Sequence, residues 1–347
     1  MIILFIVLFC VAVYGIKFAS FHKDYMTPSS TNAIKGIFAV LILYSHMRGY
    51  LTLSDACTGH TYVRVLKYLG QTMTTMYLFY SGYGLMESVR LKPAYGKSFF
   101  RKRILKIWLH FDLAVLIYIV LLFLLGWQFD AVTYLASLIG WESVGNSNWF
   151  IFEILVLYLF FYFGLWIKRK VGMKYASISV GLIILATTIV LSVFLWLFLH
   201  KQRDGSWWID NIFTFSLGMG YSLVKDKIDD WMRNGKVYFP TFIVLTMILV
   251  GWRHVYGVDM WGVCTCLFAL WVVMLTMKVK LDNQVLQWLG TMAFSIYILQ
   301  RLPMTLLTAF GVNNNIPLFV SITIPSAFVL AYWYTGFLRR VDKRLFV

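Results

Sequence analysis

Lys35 and His46 are the fourth and the last residues of the run Asn32-Ala-Ile-Lys-Gly-Ile-Phe-Ala-Val-Leu-Ile-Leu-Tyr-Ser-His46. In a helix, eleven steps of ~100° return both side chains to one face, ~16 Å apart along the axis. An imidazole exchanges protons near neutral pH, and a cation on the same face can hold an anion. The plainer alternative is a core histidine and a lysine that snorkels to the membrane border.

Other candidates are spread along the chain. Ser81, Gly82, Tyr83 and Gly84 lie within Met76-Tyr-Leu-Phe-Tyr-Ser-Gly-Tyr-Gly-Leu-Met86. Small residues there admit a neighbouring helix or a ligand. Phe99-Phe-Arg-Lys-Arg-Ile-Leu-Lys106 brings Arg101, Lys102, Arg103 and Lys106 together at the start of an apolar run. Arg103 and Lys106 are three residues apart and should face the same way. Such a cluster suits a polyphosphate, or equally anchors a topology. In Asn146-Ser-Asn-Trp-Phe-Ile-Phe-Glu153, Glu153 falls about one turn inside an apolar run. A carboxylate there must pair, remain protonated or line a wet cavity. The imidazole of His46 is one possible partner and a sugar hydroxyl another. Trp149 can stack on a sugar ring or sit in an interfacial belt. Asn148 beside it, with Tyr297 and Arg301 near the end of the chain, completes the set of acceptor or cavity candidates. Arg301 should face protein, since it is charged within an apolar segment.

The elements that must position these residues follow from composition. The chain has 347 residues, 60% hydrophobic and 13% charged, with a net charge of +16. A soluble domain would expose that apolar excess, whereas a polytopic membrane protein gives it to lipid. The predicted fold is all-α, a transmembrane bundle. Eleven windows are long enough to cross, near 2–19, 33–51, 69–89, 107–126, 149–167, 176–199, 209–224, 237–253, 261–277, 285–305 and 317–337. Pro303 should kink or end the tenth. The first window lacks the basic start of a signal peptide and is expected to remain as a span.

Alternate loops divide the Lys and Arg residues 24 to seven. The richer set should be cytoplasmic, with the amino terminus outside and the carboxyl terminus inside. The basic balance is therefore a property of loops; no charged tail suggests a nucleic-acid partner. Cys10, Cys264 and Cys266 lie in apolar runs and Cys57 in a loop, which makes neither a disulfide framework nor a metal site.

Taken in order, four segments resemble the integral-membrane acyltransferase-3 family. They are Lys35-x10-His46, where the family usually has Arg-x10-His; Phe79-Tyr-Ser-Gly-Tyr83; Phe99-Phe-Arg-Lys-Arg-Ile-Leu-Lys106; and Leu289-Gly-Thr-x-x-Phe-Ser-Ile-Tyr-Ile-Leu299. Gln300 stands where the family has a late histidine, so that position cannot be a base. The resemblance implies an acyltransferase domain over 32–347, with residues 1–31 as an added helix and loop. It also implies an O-acyltransferase, closest to the stand-alone type that acetylates bacterial surface polysaccharides and acting on groups other than amino-acyl. Acetyl-CoA would be the donor and no metal would be needed. The partners would be acyl-CoA, a glycan or lipid-linked sugar and membrane lipids, in a bacterial cytoplasmic membrane. The implied roles are His46 and Glu153 in catalysis, and Lys35, Arg101, Arg103 and Lys106 in donor binding. A polysaccharide flippase or transporter is the rival class, but the sequence shows no internal repeat, and the charged features cluster in the first five spans where a transporter should carry them in both halves.

Overall fold

The computed structural model describes residues 1–51, 57–92, 95–170, 178–202, 208–256 and 260–346. Lys174 and Arg203, two of the loop cations counted above, lie outside these residues. In chain order the elements are α1 (Ile2–Val13), β1 (Ile16–Phe18), α2 (Pro28–Met47), α3 (Cys57–Leu69) and α4 (Thr72–Leu91). A π-helical turn, Phe100–Leu105, runs into α5 (Lys106–Leu124). There follow α6 (Ala131–Leu138), α7 (Trp149–Lys170), α8 (Ile178–Gln202), α9 (Ile212–Arg233), α10 (Gly235–Tyr256), α11 (Trp261–Lys278) and β2 (Val279–Leu281). The chain ends with α12 (Gln284–Thr291), α13 (Ala293–Leu299), α14 (Arg301–Ala309) and α15 (Ile316–Leu345).

The protein is an all-α polytopic membrane bundle. Among the described residues, six helices are long and apolar enough to cross a membrane: Phe100–Leu124, Trp149–Lys170, Ser179–Lys201, Gly235–Tyr256, Trp261–Lys278 and Ile316–Leu345. Helix α10 leaves Phe239, Ile243, Val244 and Met247 exposed, as a lipid-facing helix must. Helices α2, α4 and α9 are equally long, at 20, 20 and 22 residues, but more polar. Their polar residues face protein: Thr74 and Thr75 of α4 and Thr214, Ser216 and Ser222 of α9 are buried.

Glycines set how closely these inner helices approach. A Cβ built on Gly36 of α2 would run into the Leu286 carbonyl of α12, and one on Gly290 into the Asn32 carbonyl. The α4–α9 pair repeats the device, with Gly82 against the Phe215 carbonyl and Gly218 against that of Phe79. Backbone contact of this kind drives helix association where lipid removes the hydrophobic force.

Three expected boundaries differ. The first window holds a helix of 12 residues, about 18 Å long, which is short of a crossing. It stops because Gly15 turns with φ +84°, and the chain then pairs β1 antiparallel to β2, Ile16 opposite Leu281. Asn283 fixes this corner. Its Oδ1 accepts from the Leu286 amide as the cap of α12, and its Nδ2 donates to the Val11 carbonyl at 2.8 Å. Beside it Lys280 binds Asp24 at 2.5 Å, and that hydrogen bond holds the Asp24 carboxyl below its ordinary value. Second, Cys57 begins α3 instead of lying in a loop. Third, the window near 285–305 contains α12, α13 and the start of α14 in place of one helix. The break between α13 and α14 falls at Gln300, beside the Leu299 carbonyl that Pro303 cannot bond, so the proline interrupts this span as expected and then sits in the first turn of α14.

Candidate active site

Two cavities share a wall along α2. One, of about 380 Å³, is lined by Lys35, Ala39 and Ile42 of α2, by Thr74, Tyr77, Tyr80, Ser81 and Gly84 of α4, and by Arg103. The other, of about 440 Å³, is lined by Ile42, Ser45, His46 and Arg48, by Asn146 to Trp149, and by Arg301. Ile42, Thr74 and Tyr297 belong to both. Residues 35, 39, 42 and 46 form one stripe of α2 at steps of four, three and four, so a single helix face runs from the lysine cavity to the histidine cavity.

His46 is held from α13 and from the loop before α7. Gln300 Nε2 lies 2.8 Å from His46 Nδ1, and Ser147 Oγ lies 3.5 Å from the same nitrogen. The Gln300 amide nitrogen also donates to the Tyr297 carbonyl at 3.1 Å. Two acceptors on one –NH₂ group leave the neutral imidazole with its proton on Nε2 and its lone pair on Nδ1. The Gln300 side-chain oxygen is buried without a hydrogen-bond partner. The Tyr297 ring stands 6.2 Å from the imidazole and 5.5 Å from the Phe150 ring, an aromatic partition between the cavities.

Lys35 is half-buried; its Nζ lies 3.5 Å from Asn32 Oδ1 and over the Tyr80 ring at 5.8 Å. No carboxylate pairs with it among the described residues. Ser81 Oγ meets Tyr158 OH at 2.6 Å on the same cavity wall.

Arg103 also belongs to a surface cleft of about 540 Å³, together with Lys92, Lys102 and Lys106. Its Nε donates to Tyr95 OH at 3.0 Å. The basic segment is thus carried by a π turn, which needs more residues per turn than an α-helix and often marks functional positions. Lys106 shares the cleft but is neutralised by Asp342 at 2.6 Å. Arg103→Ala should therefore weaken binding of a phosphorylated ligand more than Lys106→Ala, by about tenfold against about twofold. Calorimetric affinities of the two variants check this; equal losses would make the cleft a simple sum of charges.

Several candidates stand elsewhere. Arg101 reaches the Leu345 carbonyl at 2.6 Å and lines neither the cleft nor the cavities. Tyr83 packs on the Tyr221 ring, 6.3 Å away, because two steps from Ser81 carry it ~200° around α4. Glu153 is buried, but neither carboxyl oxygen has a hydrogen-bond partner and it lines neither cavity. On α7 the cavity face is Phe150, Ile151, Ile154 and Tyr158, and Glu153 lies about a third of a turn off it. The expected bond from Glu153 to His46 is not made; Gln300 and Ser147 occupy that role. Asn148 lines the histidine cavity, with its Nδ2 committed to the Gly140 carbonyl at 2.9 Å.

Helical spacing separates two glycines that composition treats alike. A Cβ on Gly82 meets the backbone of α9, whereas one on Gly84 meets nothing within 4 Å and opens into the lysine cavity. Gly82→Leu should prevent stable assembly. Gly84→Leu should give folded protein whose cavity is filled, with ligand affinity lowered by about 10- to 100-fold, or ~1.4–2.7 kcal/mol. Detergent-resistant folding together with ligand titration distinguishes them, and normal affinity in Gly84→Leu would contradict the cavity's role.

Sequence reasoning missed Gln300 as a partner of His46, and with it Ser147, Lys92 and Tyr158. The late-histidine position was the available signal for Gln300. Among the described residues, no three His, Cys, Asp or Glu side chains gather as a metal-holding group.

Neither the curated proteins nor the solved structures contain a match to the chain. A family model described as an acyltransferase domain matches residues 29–336, which includes both cavities and all of the stripe on α2. The chain belongs to the acyltransferase-3 family of membrane acyltransferases.

Proposed function

We propose that this membrane acyltransferase moves an acetyl or similar short acyl group from acyl-CoA, on the basic cytoplasmic side, to a hydroxyl of a glycan or lipid-linked sugar on the far side. The observation that carries the proposal is the stripe Lys35–Ala39–Ile42–His46, which joins two cavities across a thin wall. The nucleotide phosphates bind at Lys92, Lys102 and Arg103 in the cleft, and Lys35 meets the donor inside. The thin pantetheine arm passes the small Ala39 toward Ile42 and Tyr297. The charged nucleotide stays at the surface while the thioester reaches His46.

The chemistry balances simply. The acceptor hydroxyl oxygen attacks the thioester carbonyl carbon, and the C–S bond breaks. The hydroxyl proton passes to His46, which returns it to the departing thiolate. In a relay, a His46 nitrogen attacks the thioester carbon and the C–S bond breaks to release the thiolate; the hydroxyl oxygen then attacks the acyl carbon, the C–N bond breaks, and the hydroxyl proton passes to the thiolate. Gln300 decides which imidazole nitrogen serves. The hydroxyl displaces the Gln300 amide from Nδ1, and that amide keeps its bond to the Tyr297 carbonyl beside the reacting nitrogen. Glu153 takes no step in either route.

Gln300→Leu should accordingly lower turnover by about 10- to 100-fold with donor KM nearly unchanged, since the imidazole loses its orienting partner. Gln300→His, the family's usual residue, should retain part of the activity. Turnover in Gln300→Leu equal to the parent would remove Gln300 from the mechanism. The proposal itself is tested by mass spectrometry of cell-surface glycans with and without the protein. A mass difference of one acetyl or succinyl unit is expected, and identical spectra would overturn it. A flippase would change the amount of glycan outside without changing its acylation.

A further inference from the structure

The histidine cavity is furnished for negative charge. Its walls carry three cations, Arg48, Lys67 and Arg301, and no Asp or Glu among the described residues. Arg301 Nε is buried and has no hydrogen-bond partner, and Arg301 makes no ion pair among the described residues. Asn146 Nδ2, in the same wall, is a second buried donor without a partner. A guanidinium left unpaired within an apolar bundle is costly, and a buried donor without an acceptor costs about 1–3 kcal/mol. Both deficits point to a ligand that accepts hydrogen bonds and carries negative charge.

Position strengthens the case. Arg301 follows Gln300, which binds His46, and Arg48 lies two residues after His46. A charge held by these side chains would set a neighbouring hydroxyl against the imidazole. Trp149 offers an aromatic face in the same wall, suited to a sugar ring. A neutral sugar would leave the guanidinium unmatched.

We propose that the acyl acceptor is an acidic glycan, one whose sugar bears a carboxylate or phosphate close to the hydroxyl that is acylated. Arg301 binds that charge, with Arg48 and Lys67 nearer the rim. The proposal rests on the transferase function above and narrows its acceptor to one chemical class. The planar guanidinium fork matches either oxyanion, and the two arms of the test tell them apart.

The test uses purified full-length protein with CoA at saturating concentration, so that phosphate cannot enter through the donor cavity. Methyl β-glucuronide, glucose 6-phosphate and methyl β-glucoside are titrated calorimetrically. At least one of the acids should bind at least about tenfold more tightly than the neutral glucoside. The tighter of the two acids names the charged group. Arg301→Leu should abolish the preference, and Arg301→Lys should keep part of it. Equal affinities for acid and neutral sugar, absence of acid binding, or a preference that survives in Arg301→Leu would overturn the proposal. Cleavage of acetyl-CoA by the same preparation is a separate readout. Cleavage without acid preference rejects the acidic acceptor alone; acid preference without cleavage rejects the transferase function and leaves an acidic-sugar site.

Discussion

His46→Ala lowers acyl transfer by about a thousandfold or more, the middle of the range for losing a positioned general base. Two features separate this effect from damage to the fold. His46 is half-buried at a cavity wall, so its removal enlarges space that is already open. Its main partner is not orphaned, because the Gln300 amide still donates to the Tyr297 carbonyl. Expression, detergent extraction and thermal midpoint should therefore stay close to the parent while turnover disappears. The check is radiolabelled acetyl transfer at matched protein amounts. Turnover equal to the parent would return His46 to the status of a core histidine.

Lys35→Ala and Lys35→Glu lose most activity, while Lys35→Arg remains active. The lysine is half-buried on the wall of the first cavity, with only an amide oxygen at 3.5 Å and a ring face near its charge. A cation so poorly matched is available to a donor phosphate or carbonyl, in surroundings where water screens it weakly. A hydrogen bond to a charged group contributes about 1.5–3 kcal/mol, so alanine should raise donor KM by about 10- to 150-fold. Glutamate sets like charges together and should do worse. Arginine keeps the charge and is the family's usual residue, although its larger planar head allows a partial loss. A snorkelling anchor would behave differently: alanine would then change little, since the long basic segment ahead of α5 already fixes orientation. Donor KM in the alanine variant equal to the parent would end the donor role.

How much of this was legible in the sequence depended on whether the relevant geometry was local. The stripe on α2 could be read at once, because eleven residues of helix fix where Lys35 and His46 point. The segment at Arg103 was recognisable as basic, but its π turn is not read from spacing, and the capture of Lys106 by Asp342 depends on the tail helix, far off in sequence. Gln300 was marked only as a missing histidine. Its contact with His46 joins residues 254 apart and arises because α13 packs on α2. Glu153 misled for the converse reason. Its depth was correctly expected, yet facing is set by which side of α7 meets the cavity. Gly82 and Gly84 looked equivalent until the approach of α9 gave them opposite duties. Of the eleven expected windows, those facing lipid were plainest, and the broken stretch α12–α14 was the least plain, because its interruptions lie among residues that pack on α2 and α15.

The most direct test of the central claim is sidedness. Sealed membrane vesicles carrying the protein receive acetyl-CoA labelled in its acetyl group, either on the basic side of the bundle or on the other, and labelled glycan is then located by its accessibility to an added glycosidase. The account predicts that label appears on glycan at the far side only when donor is supplied to the basic side, and that His46→Ala abolishes it. Labelling that proceeds only from the far side, or that continues unchanged in His46→Ala vesicles, would contradict transfer along the α2 stripe.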